Sequence, residues 1–342
     1  MTNRVYCTYF DHNYLSRGLA LYHSLQRHAA GSRLWVLCLS EPCYQALVAL
    51  NLPNLVPRRL ADFEAADPEV AATRAGRSLL EYYFTCSPAW MLYVLKNESE
   101  AEWVTYLDGD LYFFASPEPI FEELRDAGVA IIPHRYAANL AKMKKYGTYN
   151  VGWVGAKNGP DGIAVIKWWR EKCIEWCYDY VDGGRFADQG YLDSFSSRFA
   201  GVKAIDNIGA NLAPWNVGNY GIEFCEGKIW VNRIHPLIFF HFQGLKKGLG
   251  WFIFNRHRFY RAPFSEDMRN HIYKPYINEL IAIEKANSSA LRVSDGKPHR
   301  RSAIVDIRQY LGSKVRDLAG RLFQLLDIVT GRAFFIFRGT VH

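Results

Sequence analysis

A run of strand formers, Trp103-Val104-Thr105-Tyr106-Leu107, stops at Asp108-Gly109-Asp110. The run does not alternate apolar with polar, so it predicts a strand buried on both faces, inside a sheet that helices cover. Carboxylates directly after such a strand commonly cap a turn; two of them at i and i+2 also converge on one hard cation. Open α/β sheets keep their ligands at the carboxyl ends of strands, which puts the cation reading level with the turn reading here. Gly109 removes side-chain bulk between the two acids, so a diphosphate can approach a metal held there.

The rest of the chain supplies the sheet. Strand 4–10 is followed by Asp11-His12-Asn13-Tyr14 and a helix over 15–28, then strand 34–39, helix 42–50 and a short strand at Leu55-Val56. This β-α-β-α opening predicts parallel pairing with right-handed crossovers. The first turn has no G-x-G-x-x-G, which excludes an ordinary dinucleotide fold. Asp11 reads as a helix cap or as a group that accepts a hydrogen bond from a base, with capping the commoner role. Residues 58–76 predict a loop with a short helix, and 77–88 lead into an apolar helix over 89–96. Arg74 and Arg77 lie just before it, either solvated or aimed at an anionic ligand.

Beyond Asp110 the pattern predicts a helix over 120–125, a strand over 129–132, a basic loop from His134-Arg135 to Gly147, and a strand over 147–155 containing Asn150 and Gly152. A Trp-rich helix over 161–180 and a helix opening at Asp188-Gln189 follow; 201–235 reads as loop and strand. Leu237-Ile238-Phe239-Phe240-His241 is a second apolar strand, ending in His241-Phe242-Gln243-Gly244-Leu245-Lys246-Lys247. A lone histidine there is more often packed than ligating. With Asp108 and Asp110, however, its imidazole would complete a cation site, and Lys247 would neutralise a diphosphate.

Composition narrows the class. A chain of 342 residues with 49% hydrophobic content fits one large α/β domain or two smaller ones. A net charge of +7 favours an anionic ligand or membrane surface and argues little for nucleic acid. The seven cysteines include no zinc-type pair, which suits a reducing compartment. No basic-then-apolar leader precedes the first strand and no apolar run approaches membrane-spanning length, so a cytoplasmic protein is expected. From residue 296 the composition changes to a basic extension. Ile304, Ile307, Leu311, Val315, Leu318, Leu322 and Leu325 recur at helical spacing. That helix packs on its own domain or a partner, or lies on an anionic membrane face with Phe334-Phe335-Ile336-Phe337 as anchor. The expected division is 1–295 and 296–342.

Taken together, these stretches resemble the GT-A glycosyltransferases, most closely retaining family 8. Asp108-Gly109-Asp110 is similar to that family's D-x-D element and His241 through Lys247 to its H-x-x-G-x-x-K element. Asp11-His12-Asn13-Tyr14, Arg77, Asn150-Val151-Gly152 and Asp188-Gln189 match further elements in the same order. The stretches Glu81 to Pro88 and Ala213 to Asn216 also resemble a group of uncharacterised bacterial polysaccharide glycosyltransferases. The resemblance implies a GT-A mixed sheet flanked by helices and transfer of a sugar from a UDP-sugar to a saccharide or lipid-linked acceptor, with retention of configuration. It implies Mn2+ or Mg2+ on Asp108, Asp110 and His241. It implies donor contacts from Thr8, Tyr9, Asp11, Tyr14, Arg77, Asp108, Gly109, Gly152, Gly244 and Lys247, and catalytic positioning by Asp188, Gln189 and Asn150. Two departures stand out: Lys247 precedes Gly248 where the family has Pro-Trp, and Gly190 follows the Asp-Gln pair.

Rival readings are weaker. A haloacid dehalogenase-type phosphatase needs Thr or Val where Tyr112 stands and an earlier motif position. A nucleotidyltransferase wants a Gly-rich first loop. A non-catalytic sugar-nucleotide or carbohydrate-binding protein has no need of a diphosphate-neutralising metal.

Overall fold

The computed structural model describes residues 3–248, 251–287, 333–337 and 340–341. β1 (Arg4–Phe10), α1 (Leu15–His28), β2 (Arg33–Cys38), α2 (Glu41–Leu50) and β3 (Leu55–Arg59) alternate along the chain, and β3, β2 and β1 lie side by side and parallel. Short helices α3 (Leu60–Ala66) and α4 (Pro68–Thr73) lead to α5 (Leu79–Asn97) and β4 (Trp103–Leu107). β5 (Leu111–Phe113), α6 (Glu118–Glu123), β6 (Val129–Pro133) and β7 (Tyr149–Lys157) follow, then α7 (Pro160–Glu175), α8 (Phe195–Arg198) and β8 (Val202–Ala204). The central seven-stranded sheet has the order β3-β2-β1-β4-β7-β6-β8. β4 joins β1 in parallel, while β7 runs antiparallel between β4 and β6, so the sheet is mixed and mostly parallel.

Period-two alternation divides the core. Along β1, Tyr6 and Phe10 belong to one buried cluster and Val5 and Cys7 to the cluster on the opposite face. β4 divides likewise, with Trp103 and Leu107 facing one way and Val104 and Tyr106 the other, and all are buried as the run of strand formers predicts. Trp90, Trp103, Trp153 and Trp169 are fully buried. Each such ring removes some 150–250 Å² from water, a gross gain of about 4–6 kcal/mol before ordering entropy.

The remaining strands finish the site-bearing edge. β9 (Ile222–Cys225), β10 (Lys228–Val231) and β11 (His235–Pro236) make a small antiparallel sheet. β12 (Phe239–His241) pairs with β5 and sets His241 opposite Leu111. β13 (Lys246–Gly248), β14 (Trp251–Ile253), α9 (Asn255–Phe259), α10 (Lys274–Ala286), β15 (Ala333–Phe337) and β16 (Thr340–Val341) follow. β15 pairs antiparallel with β14.

Several expectations shift. α5 begins at Leu79, well before 89, because Ser78 accepts from the Glu81 N–H while the Glu81 carboxylate takes the Ser78 N–H, a capping box. Pro88 is carried inside that helix. α7 ends at Glu175 instead of 180: Trp176 and Cys177 turn inward and a turn around Gly183 and Gly184, both at positive φ, takes over. The helix expected at Asp188 is a 3-10 turn, Gln189–Ser194. Part of the expected basic loop is a 3-10 stretch over Ala138–Tyr146, and Arg135 is tied down, donating to the carbonyls of Ile205, Asn207 and Ala210. Of the two readings for the carboxyl-terminal extension, Phe334 follows packing on its own domain and not the membrane anchor: it is buried beside Phe254 with the Arg269 guanidinium over its ring. The amphipathic helix expected at 304–325 lies outside the described residues. No helix among the described residues is long and apolar enough to cross a membrane.

Candidate metal and nucleotide site

Three polar side chains meet where β4 ends. Asp108 and Asp110 leave the sheet at its carboxyl edge, and the β5–β12 pairing carries His241 to them from far along the chain. His241 Nε2 lies 3.1 Å from an Asp110 oxygen and 3.7 Å from one of Asp108. One potential ligand atom from each of the three falls within 4.8 Å of the others. Asp110 and His241 are buried. Burial pushes the Asp108 carboxyl up, helped by the neighbouring Asp110 charge, against the pull of His241. Burial works the same way on Asp110, but the charge and hydrogen bond of His241 outweigh it and hold this group below the usual range. On His241 burial acts downward and the two carboxylates overcome it, so its affinity for a proton is raised. A proton on His241 is the only positive charge that the cluster itself supplies for two carboxylates, and the same three side chains are placed to hold a divalent cation. Two carboxylate oxygens and one imidazole nitrogen are a donor set able to hold a divalent metal ion.

His241 is oriented from behind. Its Nδ1 lies 3.3 Å from Asn150 Oδ1 on β7, the contact that fixes which ring nitrogen faces the carboxylates. Gly152 makes the arrangement possible, because a Cβ there would stand 2.5 Å from Asn150 Oδ1 and 3.0 Å from the imidazole. The Trp215 ring packs edge-on to His241 at 5.1 Å, and its indole N–H donates to the His134 carbonyl.

The cluster opens into a cavity of about 780 Å³ lined by residues from both halves of the sheet. Asp108, Gly109, Asp110 and His241 line it together with Tyr9, Asp11, Tyr14, Asn150, Asp188 and Gln189. Asp11 spends its carboxylate as a cap, accepting from the N–H groups of Asn13 at 3.0 Å and Tyr14 at 3.2 Å. Tyr14 stays partly exposed, with the Arg17 guanidinium 4.5 Å from its ring. Tyr9 lies against Tyr106 and shares a hydrogen bond with Ser87. The Gln189 amide is held from both ends, accepting from Asn150 Nδ2 and Val151 N–H and donating to the Tyr146 carbonyl. Burial raises the Asp188 carboxyl to about 7, with the Asp108 charge adding to the rise and a Ser87 hydrogen bond opposing it.

Other expected donor contacts lie away from the cavity wall. Thr8 is buried beneath Gly109. Arg77 is drawn to the Thr85 hydroxyl and the Ile174 carbonyl, bracing α5 against α7. Lys247 is exposed and ion-paired with Glu284 of α10. Gly244, at φ +73°, is the left-handed turn after β12 and packs against Arg256. Residues that had no assigned role do line the cavity: His134, Tyr136, Trp215, Gln243 and Arg256. Burial drives the His134 imidazole down to about 3, so it is neutral at physiological pH. A histidine and an arginine this far apart in sequence carry no local signal of a shared site.

Fold and site define a mixed α/β protein with a carboxylate–imidazole centre at the floor of a large cavity on the carboxyl edge of its sheet. The chain is 34% identical over 250 residues to the uncharacterized protein YfnF of Bacillus subtilis (strain 168), covering 70% of this chain and 81% of that protein. It is 31% identical over 295 residues to the uncharacterized protein YfnD of the same organism, covering 85% and 93%. The chain belongs to the family of YfnF and YfnD. No protein-family model matches it. Solved structures similar to it are glycosyltransferases. The galactosyltransferase LgtC in complex with donor and acceptor sugar analogs shares 17% identity at a TM-score of 0.49, over 83% of this chain and 99% of that one. Mouse xyloside xylosyltransferase 1 shares 14% at 0.44, over 71% and 98%.

Proposed function

We propose that the protein is a metal-dependent glycosyltransferase of the GT-A kind, related to retaining family 8, that moves a sugar from a UDP-sugar to a saccharide or lipid-linked acceptor. The observation that carries the reading is the Asp108–Asp110–His241 cluster at the floor of the cavity. Simple sugar binding gives no reason to hold two carboxylates and an imidazole this close. A Mn2+ or Mg2+ ion on Asp108, Asp110 and His241 would supply charge neutralisation for a leaving diphosphate.

The chain's own side chains do the rest. Asn150 holds the His241 tautomer with Nε2 toward the carboxylates. Tyr14 offers a face on which a base stacks, and Gly109 leaves room for phosphate beside Asp108. Asp188 and Gln189 act as positioning groups at the donor sugar. The Gln189 amide is fixed by its contacts with Asn150, Val151 and Tyr146, and Asp188 exchanges its proton near neutrality, so neither resembles a dedicated charged nucleophile. Attack from the face that the diphosphate leaves, with retention, follows from that reading. We place the protein in surface polysaccharide or lipopolysaccharide assembly, on the cytoplasmic side, with the basic stretch 304–325 as the contact to the membrane periphery.

The test is turnover. Purified protein is incubated with a panel of UDP-sugars and Mn2+, and release of UDP is measured with and without EDTA. Metal-dependent consumption of one UDP-sugar supports the proposal. UDP binding with no consumption of any donor, in the presence of saccharide and lipid-linked acceptors, would favour a non-catalytic sugar-nucleotide-binding protein.

A further inference from the structure

A divalent cation on Asp108 and Asp110 balances those two carboxylates and no more. A bound diphosphate then leaves at least one negative charge in a partly dry cavity, where an unpaired charge is costly. The cavity therefore needs a fixed cation. The sequence pattern nominates Lys247, but that ammonium pairs with Glu284 and does not line the cavity. Among the described residues, Arg256 is the one lysine or arginine that does.

Arg256 is seated by the turn that follows His241. Gly244 stands at φ +73°, and a Cβ on it would lie 2.2 Å from Arg256 Cγ. The missing side chain at Gly244 is thus the space that the Arg256 stem occupies. No carboxylate partner of Arg256 is present among the described residues; its guanidinium carbon lies 5.5 Å from the Phe259 ring centroid, and Phe259 lines the same cavity. A guanidinium presents a planar fork that matches two phosphate oxygens, and it stays charged at any working pH. We infer that Arg256, and not Lys247, is the residue that neutralises the donor's diphosphate, with Gly244 as the seat for its stem. This inference rests on the diphosphate-donor reading above.

The experiment is calorimetric titration of UDP and of uridine into the full chain with saturating Mn2+, for wild type, Arg256→Met, Arg256→Lys and Lys247→Met. Methionine keeps an unbranched apolar stem over Gly244 and removes the charge. Arg256→Met is expected to weaken UDP binding at least ~10-fold, as loss of a charge-assisted contact does, and to leave uridine binding unchanged. Arg256→Lys is expected to recover most of the loss, and Lys247→Met to bind within about 2-fold of wild type. Unchanged UDP affinity in a folded Arg256→Met protein would overturn the inference. So would a ~10-fold loss in Lys247→Met, an exposed substitution that decides the matter even if Arg256→Met fails to fold. Wild-type protein that binds no UDP in the presence of Mn2+ would bring down the donor-site reading itself, a result separate from either of these.

Discussion

Gly152 leaves no room for a methyl group. Its Cβ would press on Asn150 Oδ1 at 2.5 Å and on the His241 ring at 3.0 Å, so Gly152→Ala must push apart the pair that orients the imidazole. The expected outcome is a folded protein whose Mn2+ affinity falls roughly 10–100-fold, the usual effect of disturbing a group behind a metal ligand; direct Mn2+ titration checks it. Asp188 makes a prediction of another kind. Its carboxyl titrates near 7 in the folded protein and near 4 when unfolded. Between those values the native state holds the extra proton, so the contribution of Asp188 to stability falls as pH rises from about 4 to about 7 and is flat above that. Relative to Asp188→Asn, wild type should lose at most ~1.4 kcal/mol per pH unit across this window. Urea unfolding of both proteins at a series of pH values measures the difference, and parallel curves would contradict it.

At the level of elements, the start of α5 is marked by its cap residues and not by its apolar period. Ser78 and Glu81 stand in the S-x-x-E spacing of a capping box, and the structure uses it to start the helix at Leu79, though the apolar pattern alone pointed to 89. Ser78→Ala should cost about 1 kcal/mol, measurable as a lower urea midpoint with the slope unchanged. β4 and α1 were legible because their patterns extend over whole elements: the uninterrupted Trp103–Leu107 run is buried throughout, and α1 occupies Leu15–His28 as expected. The antiparallel insertion of β7 was not legible. Pairing direction depends on how far the 134–148 segment travels before the chain returns, and a segment's path leaves no mark in its hydrophobic period. Cluster geometry divides the same way. Asp108 and Asp110 stand two residues apart in sequence and announce themselves, whereas their meeting with His241 depends on β12 pairing with β5. Lys247 also shows how pairing decides placement: β13 carries its ammonium toward α10 and Glu284, while Arg256 reaches the cavity from α9.

For the molecule as a whole, Phe334 ties the described part of the carboxyl terminus to the core. Phe334 is 1% exposed and packed by Phe254 and Arg269, and β15 adds to the sheet that begins at β13. Phe334→Ala should therefore destabilise the protein by roughly 3–5 kcal/mol and lower its melting temperature. If Phe334 served only as a membrane anchor, the substitution would leave stability alone and reduce sedimentation with anionic vesicles. The two faces of the central sheet are sealed by separate apolar clusters, which leaves its carboxyl edge as the place where polar groups gather. The proposed function requires this edge to bind a nucleoside diphosphate through a divalent cation. The most direct measurement is a melting-temperature panel of UDP, GDP, CMP and ADP, each with Mn2+ and with EDTA, on wild type and Asp110→Asn. A ligand that binds only the folded state raises the transition by mass action. A rise is expected with UDP and Mn2+ together, absent with EDTA and absent in a folded Asp110→Asn protein. A UDP-induced rise that survives both EDTA and the substitution, or no rise with any nucleotide, would contradict it.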